Sequence, residues 1–125
     1  MRSIETEHAP TPAGHYSQGI EHGGVVYVAG QLPIDPADPG APAGDIERQT
    51  ERALKNVEAI LAAAGSGLDR LLSVTLYVTD VELWARVNAV YARMLGAHRP
   101  ARAVVPVPTL HHGYLIEIQA VAARD

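Results

Sequence analysis

The sequence contains no cysteine, a single lysine and no long apolar stretch. Without cysteine, a disulfide framework, a thiolate nucleophile and a cysteine-ligated metal are all excluded. No apolar run approaches the roughly 20 residues that a membrane-spanning helix requires. The N-terminal segment MRSIETEHAP also lacks the apolar centre of a secretory signal, so we expect a protein that stays in the cytoplasm.

What is present is an ordinary globular composition. The 125 residues are 47% apolar and 19% charged, which predicts a single domain over residues 1–125 with a substantial core. The formal net charge is −4, and no basic run or arginine stripe occurs. This balance argues against nucleic acid as a partner.

The N-terminal third is predicted to hold a short extended segment, a loop, a hairpin and a second loop. These are expected at residues 4–7, 10–19, 19–31 and 33–45. The hairpin turns at His22-Gly23-Gly24, and its strand Val25–Ala29 is apolar on both faces, which indicates that both faces are covered. The second loop carries four prolines, which exclude a helix or a central strand.

Two helices are predicted from apolar residues at helical spacing. The first covers 46–64 after Asp45, a favourable N-cap, and the second covers about 81–95 after Asp80. Each is followed by a glycine, which commonly ends a helix. The apolar stripe of the first helix consists of Ile46, Thr50, Ala53, Leu54, Val57, Ile60, Leu61 and Ala64. That of the second helix consists of Leu83, Trp84, Val87, Val90, Tyr91, Met94 and Leu95.

Three further strands are predicted near 71–79, 102–107 and 114–123. The first alternates, so that one face should carry Leu72, Val74, Leu76 and Val78 into the core. In the last strand the core face holds Tyr114, Ile116, Ile118 and Ala120.

The resulting order is β-β-α-β-α-β-β, which predicts an α+β fold with a mixed sheet of five or six strands. Two helices can cover one face of such a sheet and leave the other face bare. Several strands are nevertheless apolar on both faces, and no part of the chain remains to cover the second face. We therefore expect a homo-oligomer in which the sheets pack against neighbouring copies.

Two charged residues lie at the start of, or within, an apolar run. Arg102 opens the run AVVPV, where its planar guanidinium could grip a carboxylate or form a structural ion pair. Glu117 lies between two isoleucines, and its side chain faces either solvent or a partner subunit. If the last two strands pair antiparallel with Arg102 opposite Gln119, Glu117 lies diagonal to Arg102 on the same face. A shift of one residue would separate them.

Other candidate residues are less specific. Tyr16 in the loop GHYSQG could present its hydroxyl to a ligand or cover the core, and Asn88 lies on a largely apolar helical face, where an amide needs a partner. The six histidines show no metal-binding spacing, so no metal site is predicted. Neither a serine-hydrolase elbow nor a phosphate-binding loop occurs.

Several segments, in order along the chain, resemble the RidA family, also called YjgF. They are EHAPTPAGHYSQGIEHGGVVYVAGQLPIDP, LKNVEAILAAAG, VTLYVTDVELWARVNAVY and the pair Pro100-Ala101-Arg102 with Leu115-Ile116-Glu117-Ile118. The resemblance implies a chorismate-mutase-like fold, a homotrimer and sites in the clefts between subunits. It also implies hydrolysis of reactive 2-imino acids and their enamines, such as 2-iminopropionate and 2-iminobutyrate, to 2-keto acids and ammonia. No cofactor is implied.

The same resemblance implies roles for individual residues. Arg102 would grip the substrate carboxylate, and Glu117 would position and polarise the attacking water. The remaining pocket residues would be Tyr16, Gly30, Asn88 and Val104, where Gly30 and Val104 contribute backbone groups.

This chain departs from the family pattern at four places. Ala29 stands where many imine deaminases have serine, and Val104 where they have cysteine or a small residue. The family's Gly-Pro-Tyr is Gly14-His15-Tyr16 here, so histidine replaces the proline. A Leu-Pro pair near the C-terminus of the family is Leu110-His111 here. These changes bear on substrate preference more than on reaction class.

Three other functions remain compatible with the sequence. The chain could be a non-catalytic sensor of small carboxylates that uses the same cleft. It could act on a different imine in a biosynthetic pathway. It could also be an endoribonuclease, an activity attributed to some relatives, although the acidic charge argues against RNA binding.

Overall fold

A computed structural model describes all 125 residues as one six-stranded sheet with two helices packed on one face. The strands are β1 (Arg2–Ile4), β2 (Gly19–His22), β3 (Val25–Gln31), β4 (Leu71–Val78), β5 (Ala101–Pro106) and β6 (Ile116–Ala123). The helices are α1 (Ile46–Ala63) and α2 (Trp84–Leu95). The predicted α+β class and the order of the elements are confirmed.

The sheet order is β1-β2-β3-β6-β4-β5. Only β4 and β5 run parallel, and every other neighbouring pair is antiparallel, so the sheet is mixed as predicted. The final strand β6 inserts between β3 and β4, while β5 forms one edge. This topology decides which residues can meet at a site, because β5 and β6 are separated by the full width of β4.

The core lies between the two helices and the inner face of the sheet. Asp45 caps α1 as predicted, accepting a hydrogen bond from the Arg48 backbone N–H at 2.9 Å. All eight positions of the predicted apolar stripe of α1 are buried. Each large aliphatic side chain buried here contributes roughly 1.5–3 kcal/mol relative to exposure. Against them pack the inner residues of the sheet, among them Val26, Val28, Val74, Leu76, Ile116 and Ile118.

Three predicted details were wrong. The first strand is Arg2–Ile4 instead of 4–7, because the chain turns after Ile4 around the buried Gln18 amide, which accepts from the Thr6 N–H at 2.7 Å. Leu72 points away from the core and Leu71 points into it, because a bulge shifts the pairing of β4 with β6 between Leu71 and Ser73. Trp84 is 47% exposed, since the buried stripe of α2 begins only at Val87.

Buried amides fasten the proline-rich loop to the rest of the fold. The Asn56 side chain on α1 donates to the carbonyls of Leu32 and Ile34, at 3.1 and 2.9 Å. Gln49 donates to the Gly44 carbonyl and accepts from the Leu115 N–H at 2.8 Å. The start of β6, and with it Glu117 two residues later, is therefore held against the first turn of α1.

The outer face of the sheet carries apolar side chains that nothing in the chain covers. Tyr27 on β3 is 51% exposed and Leu72 on β4 is 49% exposed, whereas Val26 and Val28 on the inner face are buried. Within one copy, therefore, the strand Val25–Ala29 is covered on one side only. Neither helix combines the length and the apolar character needed to cross a lipid bilayer.

Candidate functional site

Glu117 lies on the outer face of the sheet, on the strand β6 beside Tyr77 of β4. Its side chain is partly buried, yet its carboxylate forms no ion pair and accepts no hydrogen bond within the chain. The carboxylate therefore keeps its lone pairs for a water molecule or a ligand.

Gly30 determines where the Glu117 carboxylate lies. A β-carbon at position 30 would stand 2.7 Å from Oε2 of Glu117, closer than two such atoms can approach. The glycine falls where the pairing of β3 with β6 shifts register, between Val28 and Gln31. Such irregularities often mark functional sites, because they re-aim side chains. Here the missing side chain creates the space that the carboxylate occupies.

A cavity of about 480 Å³ opens beside this carboxylate. Its lining includes three of the predicted residues, Tyr16, Gly30 and Glu117. Tyr16 is 52% exposed, and its loop is anchored by Gln18, whose side chain donates to the carbonyls of Ala9 and Pro10. The fold thus brings together residues that are a hundred positions apart in the sequence. We call this space the Glu117 cavity.

Two histidines that the sequence did not single out as site residues also line the Glu117 cavity. They are His111 and His112, whose rings lie 6.1 Å apart. His112 is the only residue other than glycine with a positive φ, at 60°. In the sequence these two residues were a weak signal for a site, because adjacent histidines in a loop do not have metal-binding spacing. No three acidic or histidine side chains converge closely enough to hold a metal ion.

Arg102 lies on the opposite face of the sheet. It pairs with Val74 across the parallel β4–β5 ladder, so its side chain shares the helix-covered face with that core residue. Its Nη1 donates to the Oδ1 of Asn88 on α2 at 2.7 Å. Its guanidinium carbon also stands 4.9 Å from the centre of the Tyr91 ring, a cation–π distance. These two contacts orient the guanidinium without neutralising its charge.

A second cavity, also about 480 Å³, surrounds this guanidinium. We call it the Arg102 cavity. Asn88 and Tyr91 line it, and burial raises the pKa of the Tyr91 hydroxyl, an effect that the nearby Arg102 charge opposes. Tyr91 was predicted only as part of the apolar stripe of α2, and the structure adds its contact with Arg102. Val104 lies two residues along β5 but packs against the core and lines neither cavity.

The sequence analysis placed Arg102 and Glu117 on one face of the sheet, on the condition that the last two strands pair. That prediction is wrong. The strands β5 and β6 do not pair, because β4 lies between them. Arg102 is on the inner face and Glu117 on the outer face, since they neighbour Val74 and Tyr77, which point in opposite directions along β4. Within one copy of the chain, the two charged residues therefore belong to separate cavities.

Known proteins share this fold along the whole chain. The family described as Endoribonuclease L-PSP matches residues 6–124, and solved structures from the same family include the YjgF protein of Escherichia coli. A match of this extent, together with the sheet order found here, defines the class. The chain belongs to this family, also called YjgF or RidA, as its sequence motifs predicted.

Individual relatives carry more specific names. A RutC family protein of Pyrococcus horikoshii is 45% identical over 98% of this chain and 97% of its own length. A 2-iminobutanoate/2-iminopropanoate deaminase of Salmonella typhimurium is 40% identical over 98% of both chains. A crystal structure of Escherichia coli TdcF with bound serine is 34% identical, has a TM-score of 0.95 and is covered, like this chain, over its whole length.

Proposed function

We propose that the protein hydrolyses 2-imino acids, and their enamine tautomers, to 2-keto acids and ammonia. The observation that carries this proposal is Arg102, a cation that is oriented by Asn88 and Tyr91 but has no carboxylate partner in the chain. A guanidinium held in this way is prepared to bind a carboxylate from outside with two parallel hydrogen bonds. The named deaminase among the relatives supports the same reaction class.

The water-activating group is Glu117. As the water oxygen bonds to C2 of the imine, Glu117 accepts one water proton and the C=N electron pair moves to nitrogen. The tetrahedral intermediate then breaks its C–N bond. The nitrogen first takes up the proton that Glu117 held. The hydroxyl proton then passes through Glu117 to the same nitrogen, which leaves as ammonia while the C=O bond forms. The sum is imine plus water giving keto acid plus ammonia, without a covalent enzyme intermediate.

A complete site requires two copies of the chain, because Arg102 and Glu117 lie on opposite faces of one sheet. We propose that the Arg102 cavity of one copy faces the Glu117 cavity of its neighbour in a homotrimer. The exposed Tyr27 and Leu72 on the outer sheet face supply apolar surface for such an assembly. In this cleft Tyr16 and Gly30 come from the Glu117 side and Asn88 from the Arg102 side, while Val104 supports the wall behind Arg102.

The proposal is tested by following ammonia release from 2-iminobutanoate generated in the assay by an amino-acid oxidase. We expect the wild-type protein to accelerate release, and Arg102→Ala to lose at least about a hundredfold in kcat/KM, since a charged bidentate contact disappears. Arg93→Ala is the matched control, because Arg93 is exposed on α2 and lines neither cavity. Equal rates in wild type and Arg102→Ala would refute the proposal.

Two other functions are distinguished by the same samples. A non-catalytic carboxylate sensor would bind keto acids in an Arg102-dependent manner without any turnover, and the serine bound to TdcF makes ligand binding of this kind a serious alternative. An endoribonuclease, as the family description suggests, would cleave RNA. The net charge of −4 disfavours RNA, and intact RNA after incubation would exclude that activity.

A further inference from the structure

The basic side chains that line the Arg102 cavity have no acidic counterpart there. Arg99 and Arg102 both line it, as does His98, and no aspartate or glutamate does. The chain as a whole has a net charge of −4, so this local excess of cations runs against the overall composition. Two fixed positive charges in one cavity favour a ligand with two negative groups over a ligand with a single carboxylate.

The two arginines differ in how they are held. Arg102 is engaged by Asn88 and by the Tyr91 ring, whereas Arg99 forms neither an ion pair nor a hydrogen bond within the chain. Elsewhere, Arg86 and Arg124 lie within ion-pair distance of glutamates. An arginine that lines a cavity without any partner has all five N–H donors available to a ligand.

The segment that carries Arg99 is anchored on both sides. His98 contacts the Leu71 carbonyl through Nε2 at 2.7 Å, and because a carbonyl only accepts, Nε2 must carry the proton. Pro100 fixes the backbone φ between the two arginines. Both guanidinium groups are therefore presented to the same cavity from a short and restrained stretch of chain.

Tyr91 forms part of the wall of the Arg102 cavity. The residue is only 6% exposed and lines the same cavity, yet its hydroxyl has no hydrogen-bond partner. Buried hydroxyl groups are normally paired, and an orphaned one calls for an explanation. Because the hydroxyl oxygen is shielded from solvent, Tyr91 contributes to the cavity through its ring, whose face holds the Arg102 guanidinium.

We propose that the Arg102 cavity binds two anionic groups of one molecule, so that the preferred substrates are 2-imino acids with a second carboxylate in the side chain. Arg102 holds the carboxylate next to the imine, and Arg99 holds the distal carboxylate. The inference rests on the proposed function and narrows its substrate class. The bond changes are those given above, and no co-reactant other than water enters.

The test compares two imines generated in the assay, 2-iminosuccinate from aspartate and 2-iminopropanoate from alanine, each with its own oxidase. We expect kcat/KM for 2-iminosuccinate to exceed that for 2-iminopropanoate by about tenfold or more, which is the effect of one added charged contact. Arg99→Gln should lower this ratio by about tenfold, mainly through KM for the dicarboxylate. Arg99→Lys, which keeps the charge, should restore most of it, and the exposed Arg93→Gln should leave the ratio unchanged.

The outcomes separate this inference from the proposed function. Turnover of both imines without a preference, or a ratio that Arg99→Gln does not change, overturns the dicarboxylate site and leaves imine hydrolysis standing. If neither imine is turned over, imine hydrolysis fails, and calorimetric binding of 2-oxoglutarate against 2-oxobutanoate decides the inference. Tighter binding of 2-oxoglutarate that depends on Arg99 supports the two-anion site, and equal binding of the two acids overturns it.

Discussion

The two cavities differ in how they hold their charged group. Arg102 is oriented by contacts of its own, a hydrogen bond that it donates to Asn88 and the face of the Tyr91 ring. Glu117 has no polar partner, and only the space left by Gly30 determines its position. The Arg102 cavity thus holds a cation that is fixed by its contacts. The Glu117 cavity holds a carboxylate that is positioned only by the shape of its surroundings. In the proposed mechanism the carboxylate anchor and the water-activating group lie in different cavities, which is why the proposal requires a second copy of the chain.

The strongest test of this comparison mixes two inactive variants. Arg102→Ala and Glu117→Ala should each be inactive as pure oligomers. When the two are co-expressed, about a quarter of the clefts in random mixed trimers pair an intact Glu117 half with an intact Arg102 half, so about a quarter of wild-type activity should return. Ammonia release by the co-purified mixture measures this. No recovery, in oligomers shown by native mass spectrometry to be mixed, would place both residues in one copy.

Gly30→Ala tests the Glu117 cavity, where the space left by Gly30 positions the carboxylate. The new β-carbon would collide with Oε2 of Glu117, so the flexible end of that side chain must move, while the backbone can stay in place. We expect activity to fall by about a hundredfold, since small displacements of a catalytic group cost that much, with little change in the melting temperature. Gly40→Ala is the control, because a β-carbon there meets nothing within 4 Å. An active Gly30→Ala would show that the position of this carboxylate is not critical.

Asn88→Ala probes the Arg102 cavity and should have a smaller effect. The guanidinium would lose one hydrogen bond but keep its contact with Tyr91, so KM for the imine should rise by about tenfold with a smaller change in kcat. Asn88→Asp sharpens the comparison, because a carboxylate there would pair with Arg102 and compete with the substrate. The aspartate variant should therefore be the weaker binder, and the reverse order would mean that Arg102 does not bind the carboxylate.

The smallest effect is expected at Arg86, an arginine that already has a carboxylate partner. It forms a two-pronged ion pair with Glu47 at 2.8 and 2.7 Å and joins α2 to α1 on the exposed surface. The hydrogen bond from Arg86 lowers the pKa of Glu47. The pair therefore stabilises the fold at neutral pH, and this contribution disappears in acid, as the pH falls through the lowered pKa of Glu47.

Arg86→Gln should accordingly leave imine hydrolysis unchanged. Its melting temperature should lie slightly below that of the wild type at pH 7, and the gap should close in acid and in high salt. Thermal unfolding at several pH values measures this. A loss of activity in Arg86→Gln would mean that the contact between the helices, and not only Arg102 itself, shapes the site.

Local patterns predicted most of the fold, because helix caps, glycine stops and apolar spacing act over short distances. Asp45 and the stripe that follows it were correctly identified, as was the hairpin that turns at His22-Gly23-Gly24. The bulge that turns Leu71, instead of Leu72, into the core was not predicted. It depends on how β4 pairs with β6 and not on the alternation within β4 itself. The same holds for Tyr91, whose apolar spacing concealed its contact with Arg102.

The sequence by itself determined the family, the two helices and the identity of the charged residues, because these depend on local chemistry and on motifs. Only the tertiary structure decided where those residues stand relative to one another. The strand β4 separates β5 from β6, and the register of each with β4 puts Arg102 and Glu117 on opposite faces. Pairing between strands distant in sequence leaves no local signal. That separation is the physical reason to expect a site that two copies complete.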